Sequence, residues 1–217
     1  LFLSLGLMGT GQFERATTEG SPYFQPDALY AIGKTEEAFE LAHDQARGGT
    51  PEVLFYLLLR ANRDRELVDY LEERWPSLSA FASENPGDEL GYRVMEAVAI
   101  AYSNTGNVER FDAAMKIVDQ RLVSLAEQGI NNFVFSLNLA THAALLGDVD
   151  TAFAHLEAAV DGGWVAVGEP AEIEPGLRAL VDDPRYTSIK ATVLANVNAD
   201  RELLGLALFD ENYEVQL

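Results

Sequence analysis

Three histidines, His43, His142 and His155, are the side chains that would matter most if this chain bound a metal or moved protons. His142 and His155 fall on two apolar, helix-like stretches on either side of a turn at Gly147, so one helical hairpin would carry both. Two imidazoles without a carboxylate at ligand spacing make a poor centre, because zinc takes more ligands than that. His43 and Asp44 form an ordinary polar pair. The chain has no GxSxG elbow, P-loop or HExxH run, and it lacks the alternating oxygen ligands of a calcium loop. Gly6, Gly9 and Gly11 read as packing and turn glycines, not as a dinucleotide loop. Arg60, Arg63 and Arg65 concentrate cations in an otherwise acidic chain. They are expected to pair with Asp64, Glu66, Glu72 and Glu73; the alternative is an anchor for a partner's carboxylates, which arginine's fork suits. No catalytic residue, cofactor or metal is assigned, and the chain reads as a non-enzyme.

Cysteine is absent, which removes disulfides, thiolate zinc sites and a thiol nucleophile together. Fifteen basic side chains face 35 acidic ones, for a formal charge of −20. Such a surface repels phosphate backbones and anionic lipid, so the expected partner is a protein or peptide, with a basic one favoured, and not nucleic acid. The same acidity also serves solubility. No apolar run approaches the roughly 18 residues of a membrane span, so no membrane insertion is expected. The opening LFLSLGLM lacks the basic flank and cleavage site of a leader and reads as a helix. The chain is expected in the cytoplasm, or in the periplasm if an anchor or signal precedes Leu1.

The elements that must position these residues are announced by a repeated phrase. GQFERA at Gly11 to Ala16 returns as GKTEEA at Gly33 to Ala38, NRDREL at Asn62 to Leu67, GNVERF at Gly106 to Phe111 and GDVDTA at Gly147 to Ala152. Each copy separates two apolar stretches of helical period, so the unit is a helical hairpin and the fold class is all-α. Val108, Phe111, Met115, Val118, Leu122 and Leu125 recur every three or four residues, which predicts one buried stripe ending at Gly129. PEVLFYLLLRA from Pro51 is apolar on every side and should lie fully inside. FVFSLNL from Phe133 alternates briefly, but it sits where the repeat demands a helix. The whole chain, 1–217, reads as one array, with a joint near 83–89 between sub-arrays 1–82 and 87–217. After an irregular connection from Trp164 to Pro175, a final helix bearing Tyr186, Ile189, Val193 and Val197 is expected to cover the open end.

These hairpins resemble the tetratricopeptide repeat. The resemblance rests on Val98, Ala99, Tyr102, Gly106, Val108 and Phe111 in the fourth unit, and on Leu139, Ala140, Gly147, Val149, Ala152 and Ala159 in the fifth. Leu3, Leu7, Gly11, Phe13 and Ala16 carry it in the first; in the third, Asn62 stands for Gly and Leu67 for Ala. The turns fall at uneven intervals around the family's period of about 34 residues. GGW at Gly162, EPGLRALVDDPRY ending at Tyr186 and NADRELLGL at Asn198 to Leu206 are similar to the closing segments of bacterial tetratricopeptide signalling proteins. There the array is often appended to a winged-helix regulator or a nucleotide cyclase.

The resemblance implies an αα-superhelix whose inner face, lined by first helices, holds a partner's peptide or helix. By repeat phase that lining is Arg93, Glu96, Ile100 and Ser103 with Leu137, Thr141 and Ala144. Only Arg93 and Asn138 match the family's carboxylate clamp by residue type, so an EEVD-type ligand is rejected. The expected function is a protein–protein interaction scaffold. One alternative is a sensory or regulatory module of a larger signalling protein, with a homodimer allowed; a minor one is a helical enzyme whose site carries no recognisable motif. If the inner face is open, Arg93→Glu combined with Glu96→Lys should weaken binding without unfolding the chain.

Overall fold

The computed structural model describes residues 2–84, 91–166, 171 and 174–210, and their regular structure is helical throughout, with no strand among them. Helices α1 (Phe2–Gly9) and α2 (Phe13–Glu19) form the first hairpin, and α3 (Gln25–Ala31) and α4 (Thr35–Arg47) form the second. Then come α5 (Glu52–Arg60) with α6 (Asp64–Arg74), the short α7 (Leu78–Glu84), α8 (Gly91–Asn104) with α9 (Val108–Glu127), and α10 (Phe133–Leu145) with α11 (Val149–Asp161). A 3-10 segment, Pro175–Leu180, leads into the last helix, α12 (Pro184–Leu203). None of the described helices is long and apolar enough to cross a membrane.

Every repeated phrase marks the same backbone event. Gly11, Gly33, Asn62, Gly106 and Gly147 all have positive φ, between 55° and 78°, and Asn62 alone among the described residues does so with a side chain. In the fifth hairpin Gly147 N–H donates to Ala144 O at 3.0 Å, and Asp148 N–H reaches back to Ala143 O at 2.9 Å. The other four turns repeat that pair, from Gly11 to Met8 and Gln12 to Leu7 through Gly106 to Ser103 and Asn107 to Tyr102. This is the Schellman closure, which satisfies carbonyls that a helix end would otherwise leave bare. Its left-handed residue is why the phrase begins with Gly or Asn. Asn107, Asn132 and Asp148 then accept backbone N–H groups at the starts of α9, α10 and α11.

The core is nearly continuous. Val53 to Leu59 of α5 are all buried, and one apolar cluster runs from Tyr30 to Phe135. It spans both sides of the expected joint, because Phe81 of α7 stacks on Phe55 and meets Trp75 edge-on at 4.8 Å. The joint residues 85–90 lie outside the described residues. In α9, Met115, Val118, Leu122 and Leu125 are buried as the stripe predicts, but Val108 is 67% exposed. As the first helical residue its side chain tilts back past the turn, beyond the hairpin's end. A second cluster joins α10 and α11 to Trp164, Leu177, Leu180, Tyr186, Ile189 and Val193.

Helix α12 does more than cover one end. Its buried residues Tyr186, Ile189, Val193, Val197 and Arg201 form one stripe. At the near end Arg185 pairs with Asp150 at 2.9 Å and lies 4.2 Å over the Phe153 ring. At the far end Val197 joins Phe13 and Ala31, while the Arg201 guanidinium donates to the Thr10 carbonyl and stacks on Phe209.

A Cβ on Gly147 would meet nothing within 4 Å, so only the backbone resists substitution there. Gly147→Ala should lower the unfolding free energy by about 1–2 kcal/mol in urea denaturation. Asn62→Gly relieves a left-handed side chain but loosens the unfolded chain, and should move stability by less than about 1 kcal/mol.

Candidate functional site

Helices α5, α8 and α10, the first members of three successive hairpins, all pack against the Pro175–Leu180 segment. Glu96, Ile100 and Ser103 recur along α8, and Leu137, Thr141 and Ala144 recur along α10, each set on one helical face. The Arg93 side chain lies outside the described residues. Ser103 is exposed at the end of α8. The other five are buried, with Glu96 at 1% and Thr141 at 2% exposure. The expectation of a solvent-open lining is therefore corrected for Glu96, Ile100, Leu137, Thr141 and Ala144.

What covers the face is the chain itself. Pro175, Gly176, Leu177 and Leu180 are buried against it. Gly176 sits so close that an added Cβ would overlap the Thr141 γ-methyl and stand 3.4 Å from Ile100 Cδ1. The Arg178 side chain donates to Leu59 O at 3.1 Å, at the C-terminal end of α5, where it is a second donor beside the Asn62 N–H and its charge favours the helix end. The segment is tethered downstream by Asp183 N–H to Leu180 O at 3.1 Å. Upstream, Ala171 N–H donates to the Tyr186 hydroxyl at 2.7 Å.

Beneath this cover the polar atoms are unequally served. Tyr56 of α5 donates its hydroxyl to Glu96 Oε2 at 3.2 Å. Asn138 Nδ2 and Thr141 Oγ1 are buried without a hydrogen-bond partner among the described residues. Each such group leaves about 1–3 kcal/mol of desolvation uncompensated. The lining thus offers hydrocarbon, a carboxylate backed by tyrosine, and two unused hydrogen-bonding groups.

The other sequence candidates disperse. Among the described residues no group of three or more His, Asp or Glu could hold a metal ion. His142 lies 4.0 Å from Asp119 of α9, while His43 lies 3.9 Å from Glu66 and beside Tyr70. The arginine trio splits: Arg63 takes Glu66 at 2.6 Å and lies over Phe39, and Arg65 points outward. Arg60 forms a half-buried pair at 2.5 Å with Asp27 of α3, a partner that spacing along the chain did not reveal. A cleft of about 140 Å³ between α6 and the α8–α9 turn was also not foreseen; Glu72, Trp75, Tyr102 and Arg110 help to line it. Tyr102 donates there to Glu72 at 3.4 Å, and burial with that carboxylate pushes its hydroxyl up to about 12. The cleft is well below the roughly 300–1,000 Å³ of sites for drug-sized molecules.

No family model, curated protein or solved structure matches this chain.

Two outcomes follow from the geometry. Because Glu96 is buried against Tyr56, Glu96→Lys should cost helical signal and lower the thermal midpoint, which circular dichroism reads directly; it is not the benign surface change an open face would allow. Burial, opposed by Asp119, also holds the His142 pKa below its ordinary value. The unfolded chain takes up this proton near pH 6.5, so the stability tied to neutral His142 is complete above about pH 6.5 and is lost as pH falls below it. His142→Gln should flatten the fall in unfolding free energy between about pH 7 and 5. His43, shifted the same way by burial, should retain the remainder. Equal slopes in urea titrations of the variant and the parent would remove His142 from the account.

Proposed function

We propose that the chain is a tetratricopeptide-like αα-superhelix that works as an interaction scaffold, holding a short segment of a partner protein against α5, α8 and α10. The observation that carries this reading is that the face already holds such a segment, Pro175–Leu180, by two buried leucines, a glycine in close contact and an arginine on a carbonyl. The binding residues are those named from the repeat phase: Ile100 and Thr141 at the glycine, Leu137 and Ala144 as apolar wall, Glu96 with Tyr56 behind, and Arg93 and Ser103 at the ends of that stretch of α8.

The charge supports a protein partner over a nucleic acid. At −20 the surface steers in basic segments and repels phosphate, and the bound segment's own cation already sits on helix α5's carbonyl end. Peptide recognition in a helical groove needs apolar pockets for a few anchors and hydrogen-bonding groups for register, and this lining has both.

Selection of a random peptide library on the full chain tests the reading. Enriched sequences should carry a small residue followed by leucine and a cation. Thr141→Tyr, which fills the glycine's place, should weaken them at least tenfold, about 1.4 kcal/mol, whereas Thr141→Val keeps the shape and loses only the hydroxyl, and should weaken them less. No enrichment, or enrichment indifferent to Thr141→Tyr, would overturn it.

A further inference from the structure

Resting on that reading, we propose that Glu174–Leu180 is an intramolecular ligand that gates the inner face, displaced by a partner segment of the same chemistry: a small residue, two leucines three apart and a cation between them. Three observations carry it. The first is the fit. Gly176 has no room for a Cβ against Thr141 and Ile100, Leu177 and Leu180 are fully buried, and Arg178 caps the Leu59 carbonyl.

The second is that the fit is incomplete. Among the described residues, Thr141 Oγ1, on the side chain that Gly176 faces, has no partner, and neither does Asn138 Nδ2, one turn earlier on the same face of α10. A competing segment that brings a carbonyl or carboxylate to Asn138 and Thr141 holds hydrogen bonds that the resident one forgoes.

The third is the segment's own weakness. It is a six-residue 3-10 helix, whose i→i+3 hydrogen bonds have poorer geometry than those of the α-helices it lies on. Helix α12 is held separately, by Arg185 on Asp150 and Phe153 at one end and by Val197 and Arg201 at the other. Removing the segment from α8 and α10 leaves those anchors in place.

The test uses the full chain and a labelled peptide spanning Glu174–Pro184, supplied in trans. Gly176→Val forces the resident segment off Thr141, and Arg178→Ala removes its carbonyl anchor. The peptide should bind Gly176→Val at least tenfold more tightly than the parent chain, with Arg178→Ala between them. Thr141→Tyr added to either variant should abolish the gain. Equal binding to parent and variants overturns the gate and leaves the scaffold reading standing. No binding to any variant that keeps its helical signal removes the face as a binding site, and the scaffold reading fails with it. Should Gly176→Val unfold, hydrogen exchange of the parent chain decides. Amides at 175–180 exchanging at least tenfold faster than those of α10 support the gate, and exchange in step with α10 overturns it.

Discussion

Helices α5 and α8 have no polar face, and the arrangement around them follows from that. From Val53 to Leu59 and from Val94 to Tyr102, every side chain is buried, Glu96 included. A helix that is apolar all round must be walled on every side. Their own second helices, α6 and α9, supply one wall and the neighbouring hairpins supply two more. The fourth would face water if the array were a bare stack. The Pro175–Leu180 segment closes it, and α12 follows because that segment has to be tethered at both ends.

The local grammar of the fold was legible in the sequence because it is written in backbone sterics. A left-handed residue at a helix end favours Gly or Asn, so five short phrases located five hairpin turns without knowledge of their surroundings. Helical period likewise puts Glu96, Ile100 and Ser103 on one face of α8, and Leu137, Thr141 and Ala144 on one face of α10. The burial of Ile100 and Thr141 was not legible. It depends on Gly176, Leu177 and Leu180, which lie far along the chain in a stretch that reads as an irregular connection. Val108 shows the converse error, because a helical period says which face a residue shares but not where the partner helix ends. Arg60 illustrates it again: its nearest acids in sequence are not its partner, Asp27.

Arginine has a distinct use in this acidic chain. Where many cations would be expected merely to offset charge, several join elements distant in sequence. Arg60 reaches Asp27, Arg121 reaches the Ala82 carbonyl, Arg178 reaches Leu59 and Arg201 reaches Thr10. Three of the four acceptors are backbone carbonyls. A long, planar, permanently charged donor can reach a carbonyl from an element far away in sequence, at Leu59 as a second donor beside the Asn62 N–H. Surface pairs such as Arg15 with Glu19 are worth little by comparison, because water and salt already screen them.

The contact of Val197 and Arg201 with the first hairpins changes what sort of object this is. A stack of hairpins is a one-dimensional polymer: each unit leans on its neighbours, and either end can peel away alone. Joining residue 201 to residue 10 turns the ladder into a loop, in which the outermost rungs are neighbours of each other. Loosening α12 then also uncovers Phe13 of the first hairpin and Ala31 of the second.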